Sequence, residues 1–356
     1  MLHHAEGLKA AGYQALLSEP CVFTKRSGNS FLVSEVHTDD ADILTNNRAM
    51  LDEYIEALST FAEVGSSEEV SEFCGIRYQR TGERSVIIHQ RAFTEATLQN
   101  FGMTEVRFRS CPMEGQLLTP VENDRDVIDD IRGYQSIVGH LQWLANNTRP
   151  DISFAANQLS RFNGKPGVVH MRAAHHVMMY LRHNIRGIQY KSKSAGQSID
   201  LKAYADSDWG RDTTDRKPQL GWVVYLQGGP ILWRSVKGTG VAQSTCEAEY
   251  VAAAMCANDV VYVRQLIEEM NIGIRFDSPS PIYIDNRAAK NIIEKNSAPP
   301  KLRHVAIRFH AVKDLVLQRK IELKWIQGSD NSSDAFTKPL TGACFRKHKE
   351  VLTCAL

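Results

Sequence analysis

No two cysteines stand in a C-x-x-C spacing, and Cys21, Cys74, Cys111, Cys246, Cys256, Cys344 and Cys354 are odd in number and scattered. That pattern excludes a disulfide framework and a cysteine-built zinc site, and it points to a reducing compartment. Long apolar runs are also missing. The best candidate, 251–263, is broken by Asn258 and Asp259 and falls short of the roughly 18 residues a membrane span needs. The opening residues lack a basic flank followed by an apolar run, so no secretory signal is expected. Internal repeats and low-complexity tracts are absent, which excludes solenoid and collagen-like architectures. What is there is an ordinary globular composition, with 43% hydrophobic and 23% charged residues over 356 positions. That length accommodates two or three cores.

The net charge of +1 hides an uneven distribution. Residues 1–151 carry 13 Lys+Arg against 23 Asp+Glu, whereas 152–197 carry seven basic residues and no acid. Arg161, Lys165, Arg172, Arg182, Arg186, Lys191 and Lys193 are interleaved there with four histidines, as on a phosphate-tracking surface. A helix pair with solvated basic faces would have the same composition.

Periodicity and turn signals divide the chain into blocks. Up to residue 114, a strand pair (31–36, 42–45) is followed by helical stretches at 47–61 and 93–101. Between 115 and 197 the pattern is largely helical, at 127–146 and 168–183. Thr148 is placed as an N-cap before Pro150, and 191–197 reads as an exposed linker. From 198 to 342 the pattern changes to strands at 201–206, 220–226 and 231–236, with a hairpin turn at Gln227-Gly-Gly-Pro230. A long helix at 245–270, a strand at 282–284, helices from 287 and over 304–317, a strand at 321–326 and a final short helix follow. Residues 343–356 read as a tail. The order β-β-β-α-β-α-α-β-α is an α/β arrangement.

Asp206, Glu249, Asp285 and Asp334 fall where these strands end or helices begin, positions from which side chains converge. Clustered carboxylates are what a two-metal phosphodiesterase requires, because hard oxygen ligands hold two Mg²⁺ about 4 Å apart. Each acid has a plainer alternative. Asp208 shares a strand face with Asp206, and spacing alone does not choose between them. Glu247 competes with Glu249, although Ser244-x-x-Glu247 is a capping box that gives Glu247 a structural role. Asp285 would also serve as an N-cap, and Asp334 as an acid favoured by a helix dipole. Trp209, Trp222, Trp233 and Trp325 sit in strand patterns and read as core.

Five ordered motifs resemble the ribonuclease H domain of copia-type (Pseudoviridae-like) retrotransposon Pol polyproteins. They are Tyr204-Ala-Asp-Ser-Asp-Trp-Gly210 with Leu220-Gly-Trp-Val-Val-Tyr225 and Gly229-Pro-Ile-Leu-Trp-Arg-Ser235, Ser244-Thr-Cys-Glu-Ala-Glu-Tyr250, Ile282-Tyr-Ile-Asp-Asn286, Arg303-His-Val-Ala-Ile-Arg-Phe-His310 and Ser333-Asp-Ala-Phe-Thr-Lys-Pro-Leu340. The resemblance implies an RNase H-like fold, a mixed five-stranded sheet flanked by helices. It implies two Mg²⁺ or Mn²⁺ ions, with Asp206 bridging both, Asp334 on the nucleophile side, and Glu249 with Asp285 on the leaving-group side. The implied substrate is the RNA strand of an RNA·DNA hybrid. In the basic run 301–324, Arg303 and Arg308 are candidates for contact with it.

Upstream, Glu19-Pro-Cys-Val-Phe-Thr-Lys25, Val36-His-Thr-Asp-Asp40, Phe73-Cys-Gly-Ile-Arg77, Tyr134-Gln-Ser-Ile-Val-Gly139 and Leu144-Ala-Asn-Asn-Thr-Arg-Pro-Asp-Ile-Ser-Phe154 resemble the end of the same family's reverse transcriptase. The resemblance therefore makes 1–114 a truncated palm and thumb remnant, 115–197 a helical connection, 198–342 the RNase H-like domain and 343–356 a tail. Asp39 and Asp40 match the paired polymerase aspartates. His37 and Asp42 depart from the family's aromatic and apolar pattern. The third polymerase carboxylate is expected from an earlier strand, so DNA synthesis is expected only in a longer polyprotein. The resemblance further implies an intracellular protein, in a cytoplasmic virus-like particle or the nucleus, without membrane contact, that pairs with an intact reverse transcriptase or with itself. A catalytically inactive relic that binds nucleic acid or a polymerase is the alternative.

Overall fold

A computed structural model describes residues 2–38, 40–60, 64–65, 69–191, 199–294 and 306–356, with the side chains of 2–5, 294 and 306–310 outside that description. The chain forms two compact units, Met1–Cys74 with Val260–Asp277, and Gly75–Asp259 with Ser278–Leu356. This grouping cuts across the segments expected from the sequence.

In the first unit, Val22–Ser27, Ser30–His37 and Asp40–Thr45 form successive antiparallel strands, with the short strand Gln14–Ala15 at one edge. The expected strand pair is present, and Val22–Ser27 is an addition to it. Asn47 starts the helix Arg48–Ser59 by accepting from the Ala49 N–H, which satisfies one donor at the open end. Leu8, Tyr13, Phe23, Leu32, Val36, Met50 and Tyr54 form the unit's core.

The second unit holds a helical layer and two sheets. Helices Ile131–Asn147, Ser153–Ser160 and Val168–Arg182 bury their apolar faces in one core. Thr148 is not the N-cap expected of it. It ends the preceding helix and is buried, and its hydroxyl donates to Gln90 Oε1 at 2.9 Å, while Pro150 occupies the first position of the short helix that follows. Arg149 is fully buried and paired with Asp151 at 2.8 Å, and Tyr180 donates its hydroxyl to the same carboxylate.

Residues 343–356 are not a tail. Helix Gly342–Leu352 places Phe345 in the helical core, and the strand Cys354–Ala355 pairs antiparallel with Arg186–Gly187. That pairing continues through strands Arg186–Lys191, Ser85–His89 and Ile76–Gly82 in an antiparallel sheet.

The other sheet is the mixed five-stranded one that was expected. Its order is Gly229–Lys237, Gln219–Leu226, Leu201–Asp208, Ser280–Ile284, Ile321–Trp325. The first three strands are antiparallel and the last two run parallel to the central strand Leu201–Asp208. Alternating apolar residues fill its faces, among them Leu201, Ala203, Ala205, Val223, Ile282 and Ile284. After the outer parallel strand the chain turns through two short 3-10 segments, Gly328–Asp330 and Ser332–Phe336, where one final short helix was expected.

Candidate metal centre

The central strand carries Asp206 in its last turn of pleat, buried to 1% exposure. Its parallel neighbour ends at Ile284, so Asp285 leaves the sheet beside the end of the central strand. Glu249 comes from the start of the long helix Thr245–Glu269, and its Oε1 accepts from the Ser207 N–H at 3.3 Å, which ties that helix to the strand. Ligand oxygens of Asp206, Glu249 and Asp285 all lie within 4.8 Å of one another.

The fourth acid joins through a lysine. Lys338 Nζ lies 2.6 Å from Asp334 Oδ1 and 3.2 Å from Asp206 Oδ2. Thr337, fully buried, also donates its hydroxyl to Asp206 Oδ2. The short segment carrying Asp334 is held by Asn331, which is fully buried, donates from Nδ2 to the Ala205 carbonyl at 3.0 Å and accepts from the Ser333 N–H at 3.3 Å. Thus the chain's return from the last strand is fixed against the strand that carries Asp206.

The competing residues have other contacts. Asp208 turns to Arg211, 3.0 Å away, and takes no part in the cluster. Glu247 does cap its helix: its backbone N–H donates to Ser244 Oγ at 3.2 Å while its carboxylate accepts from the Gln243 N–H at 2.7 Å. At the following helix, Arg287–Glu294, the cap is Asn286, whose side chain accepts from the Ala289 N–H at 3.0 Å. Asp285 is therefore free of that duty.

Electrostatics set this group apart from a solvated acidic face. Burial pushes the Glu249 carboxyl well above the usual carboxylate range, and Asp206 and Asp285 add to it. Burial and Asp206 push Asp334 up to about 7 against the pull of Lys338, and burial with Asp206 raises Asp285. Glu249 Oε2 is buried without a hydrogen-bond partner among the described residues. A cluster of hard oxygens that repel one another and hold an unsatisfied buried acceptor fits a divalent cation. Inside such a cluster the cation would supply the charge that the protein withholds.

Among the described residues, most of the other candidates have partners of their own. Arg161 pairs with Asp212 at 2.6 Å, Lys165 with Asp124 at 2.6 Å, and Arg182 donates to the Thr104 carbonyl at 2.9 Å. Arg186 is buried and bonds Glu350 and Thr353. Arg172 remains exposed. Arg303, the side chain of Arg308, Lys193 and Asp39 lie outside the described residues, while Asp40 is exposed opposite His37 in its hairpin. Trp222 and Trp233 are core, as expected, but Trp209 and Trp325 are 41% and 43% exposed. Arg287 stacks 4.1 Å from the Trp325 ring, whose Nε1–H donates to the Asp285 carbonyl at 3.0 Å. Lys338, Asn331 and this Arg–Trp pair are site features that sequence reasoning missed. Among the described residues no helix is long and apolar enough to cross a membrane.

No family model matches the chain. The retrovirus-related Pol polyproteins from transposons RE2 and RE1 of Arabidopsis thaliana are 30% and 31% identical to it, each over 95% of this chain and 23% of their own length. The corresponding polyprotein from transposon TNT 1-94 of Nicotiana tabacum is 26% identical over 97% of this chain and 26% of its own length. The chain thus spans about a quarter of the length of the curated relatives it matches. Among solved structures, LC11-RNase H1 in complex with an RNA/DNA hybrid overlaps 38% of this chain and 93% of that one, at 13% identity and a TM-score of 0.30, too remote a likeness to bear on function. With nearly its whole length aligned to RE1, RE2 and TNT 1-94, this chain belongs to the copia-type, retrovirus-related Pol polyproteins of transposons.

Proposed function

We propose that this chain carries a ribonuclease H site that hydrolyses the RNA strand of RNA·DNA hybrids, using divalent Mg²⁺ or Mn²⁺ held by Asp206, Glu249, Asp285 and Asp334. One observation carries the reading: three carboxylates converge within 4.8 Å, and Glu249 Oε2 is buried there without a partner among the described residues. Mutually repelling buried acids are costly to fold, and a bound cation is what turns that cost into a binding site. Two ions, when bound, would supply an activated water and stabilise the leaving oxygen. The chain's own residues fix where that happens: Ser207 and Asn331 lock the helix and the return segment to the central strand.

In this reading residues 198–342 are the RNase H-like part, 115–197 a helical connection and 1–114 the palm and thumb region. Asp39 and Asp40 are polymerase aspartates, and DNA synthesis belongs to the longer polyprotein. Hybrid recognition would rest on backbone shape and 2′-hydroxyls, with Arg287 and Trp325 beside the acids as contacts in addition to Arg172.

The test is cleavage of a labelled RNA·DNA hybrid by the purified chain with Mg²⁺, run beside Asp206→Asn and Glu249→Gln. Cleavage by the parent that is lost in both variants supports the assignment. A folded parent that binds hybrid tightly and leaves it intact would instead make this chain the binding-only relic.

A further inference from the structure

Lys338 sits between two of the four acids. Its ammonium bonds one oxygen of Asp334 at 2.6 Å and one of Asp206 at 3.2 Å, the two carboxylates that a second ion would have to share. Asp206 Oδ2 additionally accepts from Thr337, so that oxygen is already committed to protein donors. The remaining acids are arranged differently. Oxygens of Asp206, Glu249 and Asp285 stand together within 4.8 Å, and Asp334 is not part of that group. Glu249 is 6% exposed and its Oε2 has no hydrogen-bond partner among the described residues, whereas Asp206 and Asp334 share the ammonium of Lys338.

We propose that Lys338 is the resident cation of the Asp206–Asp334 side, so that the chain without nucleic acid takes up a single divalent ion, at Asp206, Glu249 and Asp285. A second ion enters only by displacing the lysine. The inference rests on the metal reading above and goes beyond it by assigning an order of filling.

The physical reason is competition for the same oxygens. Mg²⁺ and Mn²⁺ bind carboxylate oxygens at about 2.0–2.2 Å, which would leave an ion and an ammonium held by the same pair in repulsive contact. The two cations exclude each other. Displacement is feasible because Lys338 keeps 23% of its side chain exposed, and a lysine stem reorients easily toward solvent. Its cost is that of one charge-assisted contact, which corresponds to about a tenfold to hundredfold weakening of the second ion.

The experiment counts Mn²⁺ bound per full-length chain, without nucleic acid, by titration calorimetry together with electron paramagnetic resonance of the free ion. The parent is expected to take up one ion in a single step, and Glu249→Gln to lose it. Lys338→Met is expected to gain a second step, with the second ion tightened about tenfold to a hundredfold. Lys338→Gln, which keeps a neutral donor for Asp334, should behave like Lys338→Met if the latter folds poorly, and Lys338→Arg should stay at one ion. Two ions in the parent, or one ion in both neutral variants, would overturn the role of Lys338 and leave the metal centre standing. No Mn²⁺ uptake by the parent or by any variant would overturn both.

Discussion

Gly221 lies directly across the antiparallel ladder from Asp206, and it is the absence of a side chain there that lets the Asp334 segment reach the site. A Cβ at this position would come within 2.7 Å of Phe336 Cβ and of Thr337 Cγ2. Neither neighbour is the far end of a flexible chain, so the segment would have to move. Thr337 would then withdraw from Asp206. Gly221→Ala is expected to lose about 1–3 kcal/mol in urea unfolding, the usual cost of overpacking, and to weaken Mn²⁺ uptake at the same time.

Asp285 and Asn286 are adjacent yet do different work, which makes a clean comparison. Asn286→Ala removes the cap of helix Arg287–Glu294 and should cost about 1 kcal/mol with Mn²⁺ affinity nearly unchanged. Asp285→Asn removes a charge that Asp206 opposes, so the metal-free protein should be no less stable. Its Mn²⁺ affinity should fall by more than the roughly 10–100-fold that changes outside the coordination sphere cost. Loss of affinity in Asn286→Ala equal to that in Asp285→Asn would mean that geometry at this turn, and not ligation, is what Asp285 contributes.

The parts of this architecture that were legible in the sequence are those whose signal is local. Strand Gln219–Leu226, its hairpin partner and the Ser244–Glu247 box announce themselves within a few residues. What was not legible depends on distant partners. Strand Arg186–Lys191 has only a short apolar pattern between a helix and the linker, and it becomes a strand because Cys354–Ala355 and Ser85–His89 flank it. The C-terminal helix looks like a tail because its buried positions, Phe345, His348 and Leu352, are few and far apart. Lys338 escaped for the same reason. Nothing in Thr-Lys-Pro-Leu says that the lysine will face Asp206 across 132 positions of chain, a relation that only the fold creates.

The basic segment shows how composition misleads when partners lie elsewhere. Arg186 donates to Glu350 at 2.8 Å and to the Thr353 hydroxyl and carbonyl at 2.7 Å each, so its charge serves the sheet. Arg186→Met is expected to cost about 2–3 kcal/mol by leaving buried acceptors unpaired. Arg172→Ala, on an exposed helix face, should change stability by less than about 0.5 kcal/mol. If this face tracks phosphates, Arg172→Ala should also weaken hybrid binding uniformly across sequences and reduce the salt slope by about 1. Fluorescence anisotropy over a series of salt concentrations measures both.

Asp151 should make the second unit sensitive to acid. Burial alone would raise its carboxyl, but the paired guanidinium of Arg149 and the hydroxyl of Tyr180 outweigh that and hold it below the ordinary range. A carboxyl whose folded value is depressed stabilises the protein above its unfolded value, near 3.8, and that contribution is lost as pH falls through the folded value. The parent should therefore lose stability steadily below about pH 4. Asp151→Asn removes the titrating charge but leaves the fully buried Arg149 without a counter-ion, which is expected to cost about 3–5 kcal/mol at neutral pH. The variant should then show a shallower decline with acid than the parent. Urea midpoints measured from pH 7 to pH 3 for both proteins decide the matter: parallel curves would place the acid sensitivity in other carboxylates and leave the Arg149–Asp151 pair a packing element only.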